Sequence, residues 1–128
     1  MNFLSIKPKY RNKKILCGEM VFDSKKEFMR YLELKSLEEA GEISELRRQV
    51  KYVLIPAQRE KETVSPRGRK IPGKVIEREV AYFADFVYRE GDELIVEDVK
   101  SPATRKLDQY ILKRKMLLYF YGIRIREI

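Results

Sequence analysis

Two neighbouring strand-like segments constrain the fold more than any other feature of the chain. They are VIEREVAYFADFVYR (75–89) and DELIVEDVKS (92–101), and Glu90-Gly91-Asp92 joins them. A short connection that contains glycine predicts an antiparallel hairpin. Parts of the strands are apolar at successive positions, which is typical of strands that are covered on both faces. The sequence therefore predicts a central sheet with a helix packed on each side.

The elements before this hairpin follow from their end signals. ILCGEMVFDS predicts a short hairpin around Cys17-Gly18. A helix is predicted from Lys25 to Ala40, because Ser24 is a favourable N-cap, Glu27 stands at the capping-box position and a glycine follows. A strand is predicted over about 45–57, where VKYVLI is β-branched and apolar. Residues 58–75 carry prolines and glycines, which indicates a long exposed loop or an irregular hairpin tip.

A second helix and a short strand close the chain. Ser101-Pro102 ends the preceding strand, and the helix is predicted from about Ala103 to Tyr121, with Gly122 as its cap and IRIREI as the last strand. Tyr119 and Phe120 lie off the predicted core stripe; we prefer further core for them, with an interface as the alternative. The core stripe consists of Leu107, Tyr110, Ile111, Leu117, Leu118 and Tyr121.

These elements predict an α/β fold in the order αβββαβ. The 128 residues are expected to form a single domain with a basic N-terminal arm (about 1–14) and a basic loop (about 58–75). With no long apolar run and no secretory signal, we expect a cytoplasmic protein with no membrane partner. The absence of GxxxxGK[ST] and GxGxxG motifs predicts no nucleotide cofactor.

Charge points to a polyanionic partner. The net charge is +8, with 28 Lys and Arg against 20 Asp and Glu. Clustered positive charge predicts nucleic-acid binding, here DNA. The residues expected to contact DNA are Lys7, Lys9, Arg11, Lys13 and Lys14 in the arm and Arg67, Arg69, Lys70 and Lys74 in the loop.

The composition excludes several classes of chemistry. There is no histidine, and the single cysteine cannot form a zinc site by itself. Histidine-dependent triads and histidine-metal sites are therefore excluded. Catalysis, if the chain has any, must depend on carboxylates, lysines, tyrosines or a metal held by oxygen atoms.

The acidic residues of the central hairpin suggest such a site. Alternation places Asp85 with Phe83 and Val87 on one face, opposite Tyr82, Ala84, Phe86 and Tyr88; on the next strand Asp98 and Lys100 share one face and Glu97 lies on the other. If the strands pair, Asp85 and Asp98 lie close together. Two facing carboxylates repel unless a cation lies between them, and oxygen ligands favour Mg²⁺ or Mn²⁺.

Structural explanations remain open for each of these residues. Asp98 and Lys100 could form a simple salt bridge, and Asp85 could be a surface residue. Glu97 is interpreted as structural. Glu27 has an ordinary role in the capping box, although its helical angle also directs it toward the sheet as a third carboxylate.

The order of a helix Glu, a strand Asp and an (Asp/Glu)-x-Lys strand resembles the PD-(D/E)XK nuclease superfamily. Within it, the chain is most similar to a small phage and prophage family of unknown function. The resemblance covers nearly all of the chain outside the arm and the 58–75 loop, and it implies a restriction-endonuclease-like core with a central mixed sheet. The matching segments are FDSKKEFMRYLELKSLEEAGEI, QVKYVLIP, YFADFVY, IVEDVKS and LKRKMLLYFYGIRI.

The resemblance implies roles for particular residues. Asp85 takes the place of the first strand aspartate, with Ala84 where the motif has proline. Asp98 and Lys100 match the (D/E)xK pair, and Glu27 matches a helix carboxylate found in many members. The implied catalytic set is Glu27, Asp85, Asp98 and Lys100; the implied metal ligands are Glu27, Asp85, Asp98 and the Val99 carbonyl. Thr104, Arg105 and Lys113 match polar positions on the following helix, the last two as DNA contacts, and Gln49 is a further candidate near the site.

The implied function is a Mg²⁺- or Mn²⁺-dependent DNA endonuclease of a phage, acting in the bacterial cytoplasm on branched or recombination intermediates. A homodimer would favour junction resolution and a monomer would favour nicking. Two alternatives remain open. One is a non-catalytic DNA-binding module of a phage recombination or replication complex, and the other is a structural phage protein with a basic surface.

Overall fold

In the computed structural model, which describes residues 13–128, two long helices pack on a four-stranded mixed sheet. The strand order is β10-β9-β8-β3; β8 is antiparallel to both neighbours, and β10 is parallel to β9. This α/β architecture, with a central mixed sheet, confirms the predicted fold class. The elements are β1 (Ile15–Cys17), β2 (Met20–Phe22), α1 (Lys25–Glu39), β3 (Ser44–Ile55), β4 (Gln58–Arg59), β5 (Thr63–Val64), β6 (Lys70–Ile71), β7 (Val75–Glu77), β8 (Val80–Glu90), β9 (Glu93–Asp98), α2 (Pro102–Arg105), α3 (Asp108–Tyr121) and β10 (Arg126–Glu127).

The core consists of two clusters of buried residues. The cluster that includes α3 contains Leu54, Tyr82, Ala84, Val87, Val96, Tyr110 and Leu117. The cluster that includes α1 contains Leu34, Ile43, Phe86, Tyr88 and Ile95. Strands β8 and β9 contribute to both clusters, as predicted for strands that are apolar at successive positions.

Simple alternation along β8 is wrong at Asp85. Tyr82 and Ala84 share the α3 cluster with Val87, whereas Phe86 belongs to the α1 cluster. The predicted faces grouped these residues differently, because alternation assumes an unbroken ladder. The β3–β8 register is the same at Arg48↔Phe86 and at Val50↔Ala84, but Gln49 and Asp85 between them do not pair. The ladder is therefore interrupted at a predicted site residue.

The first helix begins as predicted. Ser24 Oγ accepts a hydrogen bond from Glu27 N at 3.1 Å, and α1 ends one residue before the predicted end. The Glu27 side chain completes the cap differently from a standard capping box, because Oε2 accepts from Asp23 N at 3.0 Å instead of from the N-cap residue. Glu27 therefore supports the helix start through one carboxylate oxygen.

The second helix is two helices, which corrects the single helix predicted over 103–121. Lys106 ends α2, and Leu107 adopts an extended conformation (φ −69°, ψ 129°) as the N-cap of α3. Asp108 then lies in the first turn of α3, where a carboxylate interacts favourably with the helix dipole. The apolar pattern continues across this break, so that it does not reveal the interruption.

Part of the predicted core stripe is exposed. Tyr110 and Leu117 are buried as predicted, but Leu107, Leu118 and Tyr121 are not. Tyr119 and Phe120, for which further core was preferred, are 83% and 54% exposed. The prediction was wrong because α3 covers the sheet along a narrower strip than the apolar pattern indicates.

Residues 58–77 form an irregular hairpin, one of the two predicted forms. Strand β4 pairs with β7 at its base, and β5 pairs with β6 toward its tip. Val75–Glu77 therefore belongs to this hairpin, and the central strand begins only at Val80. Gly73 fits the base closely, because a Cβ atom there would lie 1.9 Å from the Glu60 carbonyl oxygen.

No helix within residues 13–128 is both long and apolar enough to cross a membrane.

Candidate active site

The structure brings the four predicted catalytic residues to one end of the sheet. Asp85 lies at the irregularity of β8, Asp98 ends β9, Glu27 lies in the first turn of α1, and Lys100 follows β9. A cleft of about 310 Å³ opens beside them. Its lining consists of Asp23, Ser24, Lys26, Glu27, Asp85, Val99, Lys100, Ser101 and Thr104.

Asp98 is the most deeply buried carboxyl group of the site. Its Oδ2 accepts a hydrogen bond from Tyr82 Oη at 2.5 Å and lies 3.3 Å from Lys100 Nζ. Its carboxyl is also within hydrogen-bonding reach of the Asp85 carboxyl. Burial, and then the hydrogen bond and charge of Asp85, raise the pKa of Asp98 far above its usual range. Burial and the second carboxylate thus outweigh the favourable ammonium group.

The Gln49 side chain joins the other two carboxylates. Its Nε2 donates to Asp85 Oδ1 at 3.1 Å and to Glu27 Oε1 at 3.2 Å. Burial, followed by the charge of Asp85, raises the pKa of Glu27 from 4.5 to about 7. Asp85 Oδ2 in turn accepts from Val99 N at 2.9 Å. The Val99 amide and the Gln49 side chain therefore hold one oxygen each of the Asp85 carboxylate.

Gln49 was only a weak sequence candidate, but it lies at the centre of the site. Its φ of +50° is rare for a residue with a side chain. It also stands where the β3–β8 register skips a pair. Strained backbone of this kind often marks a functional position. No signal in the sequence distinguishes this glutamine from an ordinary polar strand residue.

Two residues that contact the site, Arg48 and Tyr82, were not predicted from the sequence. The Arg48 guanidinium lies 3.9 Å from the centroid of the Phe22 ring, and its Nη2 is 3.7 Å from Glu27 Oε1. Tyr82 holds Asp98, as described above. Neither the arginine, beside Arg47 and Gln49, nor the tyrosine, in an apolar strand, belongs to a sequence pattern that assigns it to a site.

The three polar residues predicted on the helix after β9 lie in three different environments. Thr104 lines the cleft, and its Oγ1 is 2.8 Å from Ser101 Oγ. Arg105 instead lies 3.4 Å from Glu127 Oε2, which places it in an ion pair with β10. Lys113 lines a second, adjoining recess that also contains Lys100.

Glu97 is structural, as interpreted from the sequence. It faces α1, where Arg30 donates from Nε to Oε1 at 2.9 Å and from Nη2 to Oε2 at 2.7 Å. Tyr88 Oη also donates to Glu97 Oε2. Glu97 is fully buried, and these partners offset the cost of burying its charge.

The expected DNA contacts lie partly within the described residues. Lys7, Lys9 and Arg11 lie outside them, whereas Lys13 and Lys14 are exposed. The four basic residues of the hairpin, Arg67, Arg69, Lys70 and Lys74, are also exposed. Lys70 Nζ is 4.0 Å from Glu62 Oε1, a distance typical of a weak surface pair.

The donor set fits a hard divalent cation. Asp98 Oδ1 is buried and has no hydrogen-bond partner within the described part of the chain. It belongs to a carboxyl group that faces a second carboxyl group, and such a pair is stabilised by a proton or by a cation. Oxygen donors of this type suit Mg²⁺ or Mn²⁺.

The side chains of the cluster are nevertheless not arranged to bind a cation as they stand. Across residues 13–128, no three His, Cys, Asp or Glu side chains are arranged to hold an ion together. Gln49 Nε2 bonds to both Glu27 and Asp85, and an amide donor cannot ligate a cation. If a cation binds here, Asp85 and Asp98 are the carboxylates that would hold it first, and Glu27 would join them only if the Gln49 amide group turned away.

The comparisons with known proteins place the chain in a family. Residues 7–126 match the family model described as "Protein of unknown function (DUF1064)", and the chain belongs to that family. No curated protein and no solved structure matches the chain.

Proposed function

We propose that this protein is a metal-dependent DNA endonuclease with a restriction-endonuclease-like core. The central observation is the buried pair of Asp85 and Asp98 carboxyls, with Lys100 Nζ 3.3 Å from Asp98. The order α1, β3, β8, β9, α3, β10 supports the proposed αβββαβ core. Asp85 and Lys100 line one cleft, and Asp98 lies buried behind its wall, next to Lys100.

The residues at the cleft have different roles in the proposed phosphodiester hydrolysis. Asp85 and Asp98, with Glu27 as a third ligand, are the groups that would hold Mg²⁺ or Mn²⁺. When bound, such an ion polarises the phosphate and lowers the pKa of a water nucleophile. Lys100 carries a positive charge beside the cleft, where it stabilises the negative charge that develops on the phosphate oxygens.

Several neighbouring residues keep these groups in position. Tyr82 Oη fixes one oxygen of Asp98, and the Val99 amide fixes one oxygen of Asp85. The Lys100 amide donates to the Ile128 carbonyl at 3.3 Å, which ties the residue to the strand beside β9. These bonds reduce the reorganisation that the reaction requires.

The basic surfaces support DNA as the substrate. The exposed hairpin cations and Lys13 and Lys14 offer contacts to phosphates. Such contacts orient a duplex without reading its sequence. Each contact that is lost should reduce the salt dependence of binding by about 0.9 in the log–log slope. Replacing Arg67, Arg69, Lys70 and Lys74 by Gln therefore flattens that slope if the hairpin binds the duplex.

The test is cleavage of supercoiled plasmid and of a synthetic four-way junction with Mg²⁺ or Mn²⁺. We expect Asp98→Asn and Lys100→Ala each to reduce cleavage by about 100-fold or more. The matched controls are Asp92→Asn, in the β8–β9 turn, and Lys115→Ala, on the exposed side of α3; both should retain activity.

The results also separate the alternatives. If the protein binds DNA but cleaves neither substrate with either metal, it is a non-catalytic DNA-binding module. If it cleaves and the two site variants remain active, the assignment of the site is wrong. Cleavage of the junction by a dimer would support the proposed role on recombination intermediates of a phage.

A further inference from the structure

A second recess adjoins the candidate active site on the far side of Lys100. It has a volume of about 250 Å³, and α3 and β8 form its walls. Lys100 lines both recesses and so forms a wall that they share. The residues that matter to its chemistry are Phe83, Lys100, Leu107, Gln109 and Lys113.

Phe83 is the unusual wall of this recess. It lies in a central strand of the sheet between buried Tyr82 and buried Ala84, yet it is 52% exposed. An exposed phenylalanine forgoes a substantial part of the free energy that burial would provide. Leu107, on the opposite wall, is 57% exposed. The recess therefore presents a flat aromatic ring and an aliphatic side chain to the solvent.

Cationic groups surround this apolar surface. Lys100 and Lys113 line the recess itself. Lys51 lies opposite Phe83 in the β3–β8 register and is paired with Glu79. An aromatic platform bordered by lysines is the combination that binds single-stranded nucleic acid, because the base stacks on the ring and the phosphate meets the ammonium groups.

We propose that this recess holds one unpaired nucleotide of a DNA substrate, with its base against Phe83 and its phosphate near Lys100 and Lys113. A base inside a duplex is already stacked on its neighbours, so Phe83 can reach only a base that is unpaired or at an end. This inference rests on the proposed function, because the position of the scissile phosphate follows from the proposed nuclease site. It specifies the substrate class: DNA with an unpaired nucleotide next to the scissile phosphate, such as an overhang or a flap.

Binding without cleavage tests the proposal. Anisotropy in EDTA compares a fluorescein-labelled duplex with the same duplex carrying a short single-stranded overhang. We expect the protein to bind the overhang substrate more tightly, and Phe83→Ala to weaken that binding by about 5- to 150-fold while leaving duplex binding unchanged. Phe83→Tyr should restore it. The matched control is Phe120→Ala, since Phe120 is 54% exposed on the other end of α3.

A base analogue gives a second, direct readout. An unpaired 2-aminopurine in the overhang loses fluorescence when it stacks, so we expect quenching by the wild-type protein and by Phe83→Tyr but not by Phe83→Ala. Equal affinities of Phe83→Ala and wild type for the overhang substrate would overturn the proposal. So would an equal loss with Phe120→Ala, or equal weakening of duplex and overhang binding.

These outcomes are separate from those of the nuclease test. If the protein cleaves no DNA in Mg²⁺ or Mn²⁺ but prefers the overhang through Phe83, the nucleotide-binding recess is supported and the endonuclease proposal is wrong. If it cleaves DNA and Phe83→Ala does not affect overhang binding, the endonuclease proposal is supported and the recess proposal is wrong.

Discussion

Glu27 and Asp98 lie in surroundings that favour their neutral forms. The pKa of Glu27 is raised from 4.5 to about 7, first by burial and then by the charge of Asp85. The pKa of Asp98 is also raised, chiefly by burial. Between the unfolded and folded pKa values, the folded chain binds more protons than the unfolded chain. The stability contribution of Glu27 is therefore complete below about pH 4.5 and is lost as the pH rises through 7, and that of Asp98 is lost in the same direction.

We accordingly expect the metal-free protein to lose roughly 1 to 3 kcal/mol of unfolding free energy between pH 5 and pH 8. Urea denaturation in EDTA at several pH values measures the change. Glu27→Gln and Asp98→Asn, which mimic the protonated forms, should flatten the profile. The control is Glu33→Gln. Glu33 lies in the same helix, α1, but its side chain is mostly exposed, so this change should leave the pH profile unchanged. A stability that rises over this window would contradict the assigned environments.

The buried ion pair of Arg30 and Glu97 gives a second residue-scale prediction. Arg30→Ala leaves the fully buried Glu97 without its charged partner, which should cost about 3 to 5 kcal/mol. Glu33→Ala removes the other partner of Arg30, which is largely exposed, and should cost less than about 1 kcal/mol. Urea midpoints measure both changes.

A double variant checks the cause of this loss. Adding Glu97→Gln to Arg30→Ala removes the unpaired charge and should recover part of the stability. If the double variant is no more stable than Arg30→Ala alone, the loss comes from packing and not from the buried charge. Mn²⁺ binding should remain in the double variant, because neither side chain lines the cleft.

At the residue scale, the sequence predicted which charged groups come together but not what joins them. Asp85, Asp98 and Lys100 could be grouped because hairpin pairing brings residues of neighbouring strands together, although alternation along β8 fails at Asp85. The bridging role of Gln49 depends on a positive φ and on a skipped ladder pair, and both arise from contact between β3 and β8. Tertiary contacts of this kind leave no local pattern.

At the scale of elements, the sequence predicted the strands and helices better than their ends. Ser24 and Gly41 mark the ends of α1 because caps are local interactions. The break between α2 and α3 falls inside a continuous apolar pattern, and the start of β8 at Val80 depends on the strand partner of β7. Both boundaries are set by long-range contacts.

The base of the 58–77 hairpin yields an element-scale prediction. Gly73→Ala places a Cβ atom against the Glu60 carbonyl, so the β4–β7 base must open. We expect faster amide hydrogen exchange at Glu60, whose N–H donates to the Lys74 carbonyl at 2.8 Å, while amides of β8 keep their protection. Gly68→Ala meets no neighbouring atom and should affect only the tip, through its positive φ. Loss of protection throughout β8 would show instead that the hairpin supports the sheet.

Binding of Mn²⁺ to the folded protein should increase the free energy of unfolding of the whole molecule. At a Mn²⁺ concentration about 100 times its Kd, the unfolding free energy should rise by about 2.7 kcal/mol. At one fixed Mn²⁺ concentration the rise should be larger at pH 8 than at pH 6, because the cation must displace the protons held by Glu27 and Asp98 and so binds more weakly at pH 6. Thermal unfolding with and without Mn²⁺ measures it, with Asp92→Asn as the control and Asp98→Asn as the variant that loses the effect. An equal rise in Asp98→Asn would place the ion elsewhere.

The order of elements across the whole chain was also predicted, because each long element carries its own apolar pattern. The coverage of the sheet by α3 was not. Tyr119 and Phe120 were expected in the core, but no other element covers them at the C-terminal end of α3 within the described residues, so they are exposed. Their rings pack against each other instead, with centroids 5.1 Å apart.

The basic hairpin also affects how freely this fold can vary. The chain runs from β3 to β8 through residues 56–79, and the hairpin strands in this segment pair among themselves and not with the central sheet. The entropy of closing such a connection changes slowly with length, by about 0.6 kcal/mol for each doubling. Insertions or deletions at its tip are therefore nearly neutral for folding. The surface proposed to hold DNA can change in length and charge while the cleft stays as it is.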